Sequence, residues 1–81
     1  MQIFGEWEDY TPSHGPAVFD CAICGEGEAE MQTRLVSNDI KEGYADYHEY
    51  RIICESCGRK SGIHVNTMMA MKDWKKRNAG A

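Results

Sequence analysis

The chain has 81 residues, 42% of them apolar with cysteine counted, and a formal charge of −4 at neutral pH. One domain of this size buries a modest share of its apolar surface, so an additional staple is expected, and the absence of any run of about 18 apolar residues excludes a membrane-spanning helix. Residues 1–50 carry eleven acidic side chains against Arg34 and Lys41, whereas residues 51–81 carry seven basic ones against Glu55 and Asp73; this split excludes a uniformly basic nucleic-acid binder.

Residues 1–20 are expected to form an extended N-terminal arm, because Pro12, Gly15 and Pro16 interrupt regular structure. Ile3, Phe4, Trp7, Tyr10 and Phe19 provide anchors that pack the arm over a small core. Met1–Glu6 lacks the basic region and apolar stretch of a signal peptide, so the expected location is the cytoplasm, where four cysteines remain thiols rather than forming two disulfides.

Between Glu28 and Ser37 the sequence alternates, with Ala29, Met31, Thr33 and Leu35 on one side and Glu28, Glu30, Gln32 and Arg34 on a wet side, which predicts a strand. Asn38–Gly43 has the chemistry of a turn. A second strand is expected from about Tyr47 to Ile53, since Tyr50, Arg51, Ile52 and Ile53 favour a pleated surface. The three-residue spacing of Tyr44, Tyr47 and Tyr50 also admits a helical turn near 44–48. Ser61–Val65 reads as a short third strand, with Ile63 and Val65 on one face. A helix follows over about 67–77, capped by Asn66 or Thr67, with Met68, Ala70, Met71 and Trp74 at helical spacing and Trp74 facing the core. Lys75, Lys76 and Arg77 suit its negative end, and residues 78–81 are expected to be a frayed tail.

Two motifs carry the chemistry. Cys21-Ala22-Ile23-Cys24-Gly25 and Cys54-Glu55-Ser56-Cys57-Gly58 are separated by 29 residues. A CxxC turn folds two sulfurs toward one point, the following glycine accepts a left-handed backbone, and two such knuckles supply the four ligands of a tetrahedral ion. The separation exceeds the usual 15 to 20 or so residues, which implies a longer hairpin with a loop near residues 38–46. Cys21, Cys24, Cys54 and Cys57 are therefore assigned as ligands of one structural Zn²⁺ per chain, although iron would take the same four thiolates. Such a site supplies on the order of 10 kcal/mol of apparent binding energy, which becomes folding energy. The expected fold is a small metal-stabilised α+β domain of zinc-ribbon type over residues 21–77: a β-hairpin with two CxxCG knuckles, a short third strand and one C-terminal helix.

No carrier of catalysis is visible, and the chain is not expected to be an enzyme. Neither CxxC begins a long helix, as a thioredoxin-like pair would. Four cysteines close the coordination sphere that a catalytic zinc keeps open. His14, His48 and His64 have no ligand spacing to one another and are expected at the surface or in packing. Ser13, Ser37, Ser56 and Ser61 have no base pattern beside them, and Glu28 with Glu30 reads as a solvated strand face.

The order CxxCG, hairpin, CxxCG, short strand and helix ending in Trp74-Lys75-Lys76-Arg77 resembles the Lar-type restriction alleviation proteins, small zinc ribbons of phages and prophages. The family's segment Ala-Ile-x-x-Trp-Asn-x-Arg is similar to Ala70-Met71-Lys72-Asp73-Trp74-Lys75-Lys76-Arg77, with Ala70, Trp74 and Arg77 the discriminating positions. The resemblance covers about residues 21–77. This chain departs from it at Ala22 and Ile23, where the family commonly has Pro and Phe, at Lys75, and in the longer hairpin. The resemblance implies a non-enzymatic accessory protein in the host cytoplasm that binds a host protein, a type I restriction-modification subunit, and relieves or modulates restriction. Lys72, Lys75, Lys76 and Arg77 are the candidate partner-binding residues, and the acidic half suits a basic groove on a partner. The alternative is a nucleic-acid-binding regulator that sets Arg51, Arg59, Lys60, Lys72, Lys75, Lys76 and Arg77 against phosphates. A third reading, self-assembly through a purely structural ribbon, would show as oligomers.

Overall fold

A computed structural model describes residues 2–13, 15, 18–38 and 46–80. The chain folds as a small α+β unit with strands β1 (Gln2–Phe4), β2 (Glu8–Asp9), β3 (Phe19–Cys21), β4 (Gly25–Asn38) and β5 (Tyr47–Cys54), followed by helix α1 (Thr67–Ala79). The alternating segment becomes the centre of the sheet. β4 pairs with β5 along one edge and with β1, β2 and β3 along the other, always antiparallel. Residues 1–20, expected as an arm, thus supply three strands or parts of strands to the sheet, and no structural boundary lies at residue 21. The expected turn at Asn38–Gly43 falls largely on residues 39–45, outside the described residues, as do His14 and Ala81.

The β4–β5 register runs from Ala29 opposite Cys54 to Val36 opposite Tyr47. Paired residues share a face, so Ala29, Met31 and Thr33 lie with Cys54, Ile52 and Tyr50. α1 covers this face. Phe19, Cys21, Ala29, Met31, Ile52, Cys54, Ala70 and Trp74 form one buried cluster, and Tyr10, Cys24, Tyr50 and Met71 pack at its margin.

The opposite face is wet at Glu28 and Glu30, as the alternation predicts, but not beyond them. Gln32 is 8% exposed and Val36 is fully buried, while Leu35 on the nominally apolar face is 41% exposed. The reason is coverage. The chain that runs along the edge of β4 through β1 and β2 lays the Trp7 ring against the guanidinium groups of Arg34 and Arg51, 4.6 and 4.2 Å from the ring centroid. Phe4 takes Arg34 as well, at 4.5 Å. Arg34 is paired with Glu49 at 2.8 Å, and Arg51 donates to Gln32 Oε1 at 2.9 Å. Burial, and then the charge of Arg34, push the Arg51 pKa downward from its ordinary value. Alternating polarity therefore gives the pleat correctly, but long arginine stems under an indole make a polar face a packed one.

Ser61–Val65 is not a strand. Two isolated bridges, Tyr50 with His64 and Ile53 with Lys60, hold it along β5. Ser61 interrupts the ladder by accepting the Ile52 N–H on its own hydroxyl oxygen at 2.8 Å. Ile63 and Val65 are exposed. α1 starts at Asn66, whose Oδ1 accepts the Met68 N–H at 2.7 Å. It continues through Asn78 and Ala79, two residues beyond the expected end, so the proposed tail begins inside the helix. Among the described residues no helix is long and apolar enough to cross a membrane.

Trp7 bridges two arginines, whereas Phe4 touches one and is half exposed. Trp7→Ala is expected to destabilise the fold by about 1–2 kcal/mol and Phe4→Ala by about 1 kcal/mol or less, measured by denaturant unfolding of the metal-loaded protein.

Candidate metal centre

Both cysteine motifs sit at hairpin tips at the same end of the sheet. The first joins β3 to β4, with Cys21 opposite Gly25. The second follows β5, where Gly58 N–H donates to the Cys54 carbonyl and Cys54 N–H to the Arg59 carbonyl, both at 2.8 Å. Gly25 and Gly58 have φ of 114° and 80°, a region costly to any residue with a Cβ, so each CxxC turn closes on a glycine as the sequence requires. The register sets Cys54 opposite Ala29, only four residues beyond Gly25, and this brings the tips together.

The four sulfurs of Cys21, Cys24, Cys54 and Cys57 lie within 4.8 Å of one another. Cys21 and Cys57 Sγ are 3.6 Å apart, and all four cysteines are free thiols. Sulfurs bound at about 2.3 Å to one tetrahedral ion stand about 3.8 Å apart, whereas a disulfide needs about 2.05 Å. The donor set therefore fits a metal ion of the thiolate-preferring kind. Cys21 and Cys54 are buried within the apolar cluster, Cys24 is half-buried and Cys57 is exposed. One sulfur of each knuckle thus belongs to the core, and its neighbour faces outward.

Cys21 is lowered to about 7, first by the N–H of Cys24 and further by the N–H of Ile23 and the thiols of Cys57 and Cys54, against the opposing effect of burial. Cys24 is pushed up to about 12 by the thiols of Cys54 and Cys57, burial and the neighbouring Cys21. Four negative sulfurs in one place are unfavourable without a cation, so the last proton is held tightly and a metal must displace it.

Two contacts tie the helix to the knuckles. The Asp20 carbonyl, one residue before Cys21, accepts from Trp74 Nε1 at 2.9 Å and from Asn78 Nδ2 at 3.2 Å, and Asn78 Oδ1 accepts the Ala22 N–H at 2.7 Å. From the second knuckle, Arg59 Nη2 donates to the Arg77 carbonyl at 2.9 Å. The sequence reading placed Asn78 in a frayed tail and Arg59 among the phosphate contacts, and held neither as a tie between helix and knuckle. Asn78 was detectable in principle, because Ala70, Trp74 and Asn78 make one i, i+4, i+8 stripe.

Asp73, midway along α1, fastens the helix to the segment after the second knuckle. Its Oδ2 receives the Gly62 N–H at 2.7 Å and lies 2.8 Å from His64 Nε2, and its Oδ1 accepts from Arg77 Nε at 2.7 Å. The His64 bond first, and then Arg77 and the Gly62 N–H, hold its carboxyl down at about 2. His48 is exposed. The Ser61 hydroxyl is occupied by Ile52 N–H and donates to the Gly62 carbonyl, and Glu28 and Glu30 are exposed. Lys72, Lys75 and Lys76 lie exposed on α1, while Arg77 is partly engaged by Asp73. Arg51 lies under Trp7 on the sheet, away from that basic helix. Compared with known proteins, the chain matches no family model, no curated protein and no solved structure.

Metal uptake at neutral pH is expected to release protons, and the apparent affinity to fall steeply from about pH 7.5 to 5.5 as protons compete for the thiolates, measured by competition with a chromophoric chelator. The lowered Asp73 carboxyl has the opposite signature: its contribution is complete above the ordinary aspartate value of about 3.9 and is lost only as pH falls through about 2. Asp73→Asn is therefore expected to cost about 1 kcal/mol in thermal unfolding at about pH 7.

Proposed function

We propose that the chain is a zinc-ribbon protein whose single zinc ion, held by Cys21, Cys24, Cys54 and Cys57, is structural, and that the protein acts by binding rather than by catalysis. The closed set of four sulfurs carries this reading. With no ligand position left for water or substrate, the ion supplies folding energy and not Lewis acidity. The burial of Cys21 and Cys54 in the apolar cluster supports it further, since metal loss would open the core itself.

The partner is a host protein, and the role is that of a phage or prophage accessory protein acting on type I restriction-modification in the host cytoplasm. Its support is the resemblance of Ala70, Trp74 and Arg77 to the Lar-type pattern, together with the parts these residues take. Ala70 and Trp74 are buried against the sheet, and Arg77 holds Asp73 and accepts Arg59 on its carbonyl. A motif of this kind maintains the helix-to-knuckle joint, so it preserves the surface that α1 presents without itself being that surface. The exposed Lys72, Lys75 and Lys76 are then available to a partner.

The direct test is the plating efficiency of an unmodified phage on a type I restricting host that expresses the protein. A rise that disappears with Cys24→Ser is expected. Unchanged plating against several restriction specificities would reject the restriction role.

A further inference from the structure

We infer that Arg59, Lys60 and Arg77 form a phosphate-binding groove by which the protein holds the backbone of a nucleic acid. This goes beyond the restriction reading and does not depend on it. The three cations line a groove of about 360 Å³ whose remaining wall is Trp74. Among the described residues no acidic side chain lines it. Among the described residues, Arg59 and Lys60 have no carboxylate partner, and Arg77 meets Asp73 through Nε. The site is also preorganised. Arg59 is held through Nη2 to the Arg77 carbonyl, and Arg77 through Nε to Asp73, which restricts both guanidinium groups before a ligand arrives. Fixed guanidinium forks match phosphate oxygens in pairs. The C-terminal end of α1 carries a partial negative charge of about half an electron, which three full positive charges outweigh.

The surroundings favour a polyanion over an isolated carboxylate. Residues 51–81 carry seven basic side chains against Glu55 and Asp73, so this half of the chain is positive well beyond the groove. The remainder of the molecule is acidic, with a balance of −9 over residues 1–50, and would turn a nucleic acid toward this end. Trp74 is 4% exposed and its N–H is committed to Asp20, so no indole face is offered for base stacking. The contact is therefore with the backbone and carries no sequence preference.

The test uses the zinc-loaded full chain and fluorescent DNA duplexes of about 20 base pairs in two unrelated sequences, read by anisotropy over a range of salt. Equal binding of both is expected, with a slope of log K against log salt of about −3. Lys60→Gln, whose side chain has no partner to lose, is expected to weaken both complexes alike and to reduce that slope by about one. Arg59→Gln, checked for unchanged melting, is expected to do the same. Absence of duplex binding would overturn the inference, as would equal binding by wild type and Lys60→Gln. Binding of an acidic peptide or of inorganic phosphate without duplex binding would likewise overturn it. A Lys60→Gln effect on zinc affinity alone would assign the lysine to neutralising the thiolates instead.

Discussion

Four sulfurs must meet at one point, and the rest of the molecule is arranged so that they can. Each CxxC turn sits at the tip of a hairpin and closes on a glycine with positive φ, and the β4–β5 register sets the two tips beside each other. A slip of one residue would carry Cys54 to the opposite face of the sheet, away from Cys21. Register, knuckle geometry and metal capacity are thus one constraint. Because Cys21 and Cys54 also belong to the buried cluster, the ligand set and the core cannot be separated energetically. In a chain this small, that joint use lets few apolar residues hold a fold.

The helix depends on the same end of the sheet. Its apolar contacts are modest, with only Ala70 and Trp74 buried, and its placement is completed by polar ties to both knuckles. Asp20 accepts from Trp74 and Asn78, Asn78 accepts from Ala22, and Arg59 reaches the Arg77 carbonyl. Polar groups joined in this way specify one docking geometry where apolar packing would allow several. The far end of the sheet solves a different problem. There no metal helps, and the strands are covered by Trp7 lying across Arg34 and Arg51, with Glu49 and Gln32 satisfying the guanidinium groups beneath.

The four-cysteine cluster and the main elements were legible because their signals are local. A CxxCG unit states its own turn, the alternation around Ala29 and Met31 states a strand, and Ala70 with Trp74 states a helix face. What escaped was long-range. Nothing in Gln2–Phe4 or Glu8–Asp9 distinguishes an extended arm from a strand until β4 is there to pair with it. Gln32 and Val36 are buried only because Trp7 and Phe4 arrive over them, which a period-two pattern within β4 cannot contain. Ser61–Val65 has the composition of a strand, but the Ser61 hydroxyl takes the Ile52 N–H that a ladder would have used. The end of α1 was placed too early because Asn78 resembles a terminator by propensity, while its side chain is fully used in fastening the first knuckle.

Each surface proposed for this protein requires the end of the sheet that carries the four cysteines to be intact. The most direct measurement is therefore made on the whole chain with and without its metal: stripping the ion with a strong chelator under reducing conditions and following the Trp74 indole N–H by NMR. The account expects that resonance to lose its protection from solvent exchange together with the amides of β4 and β5, and to regain it on adding one equivalent of zinc. A metal-free protein that kept the same dispersion, the same indole protection and a cooperative melt would contradict it.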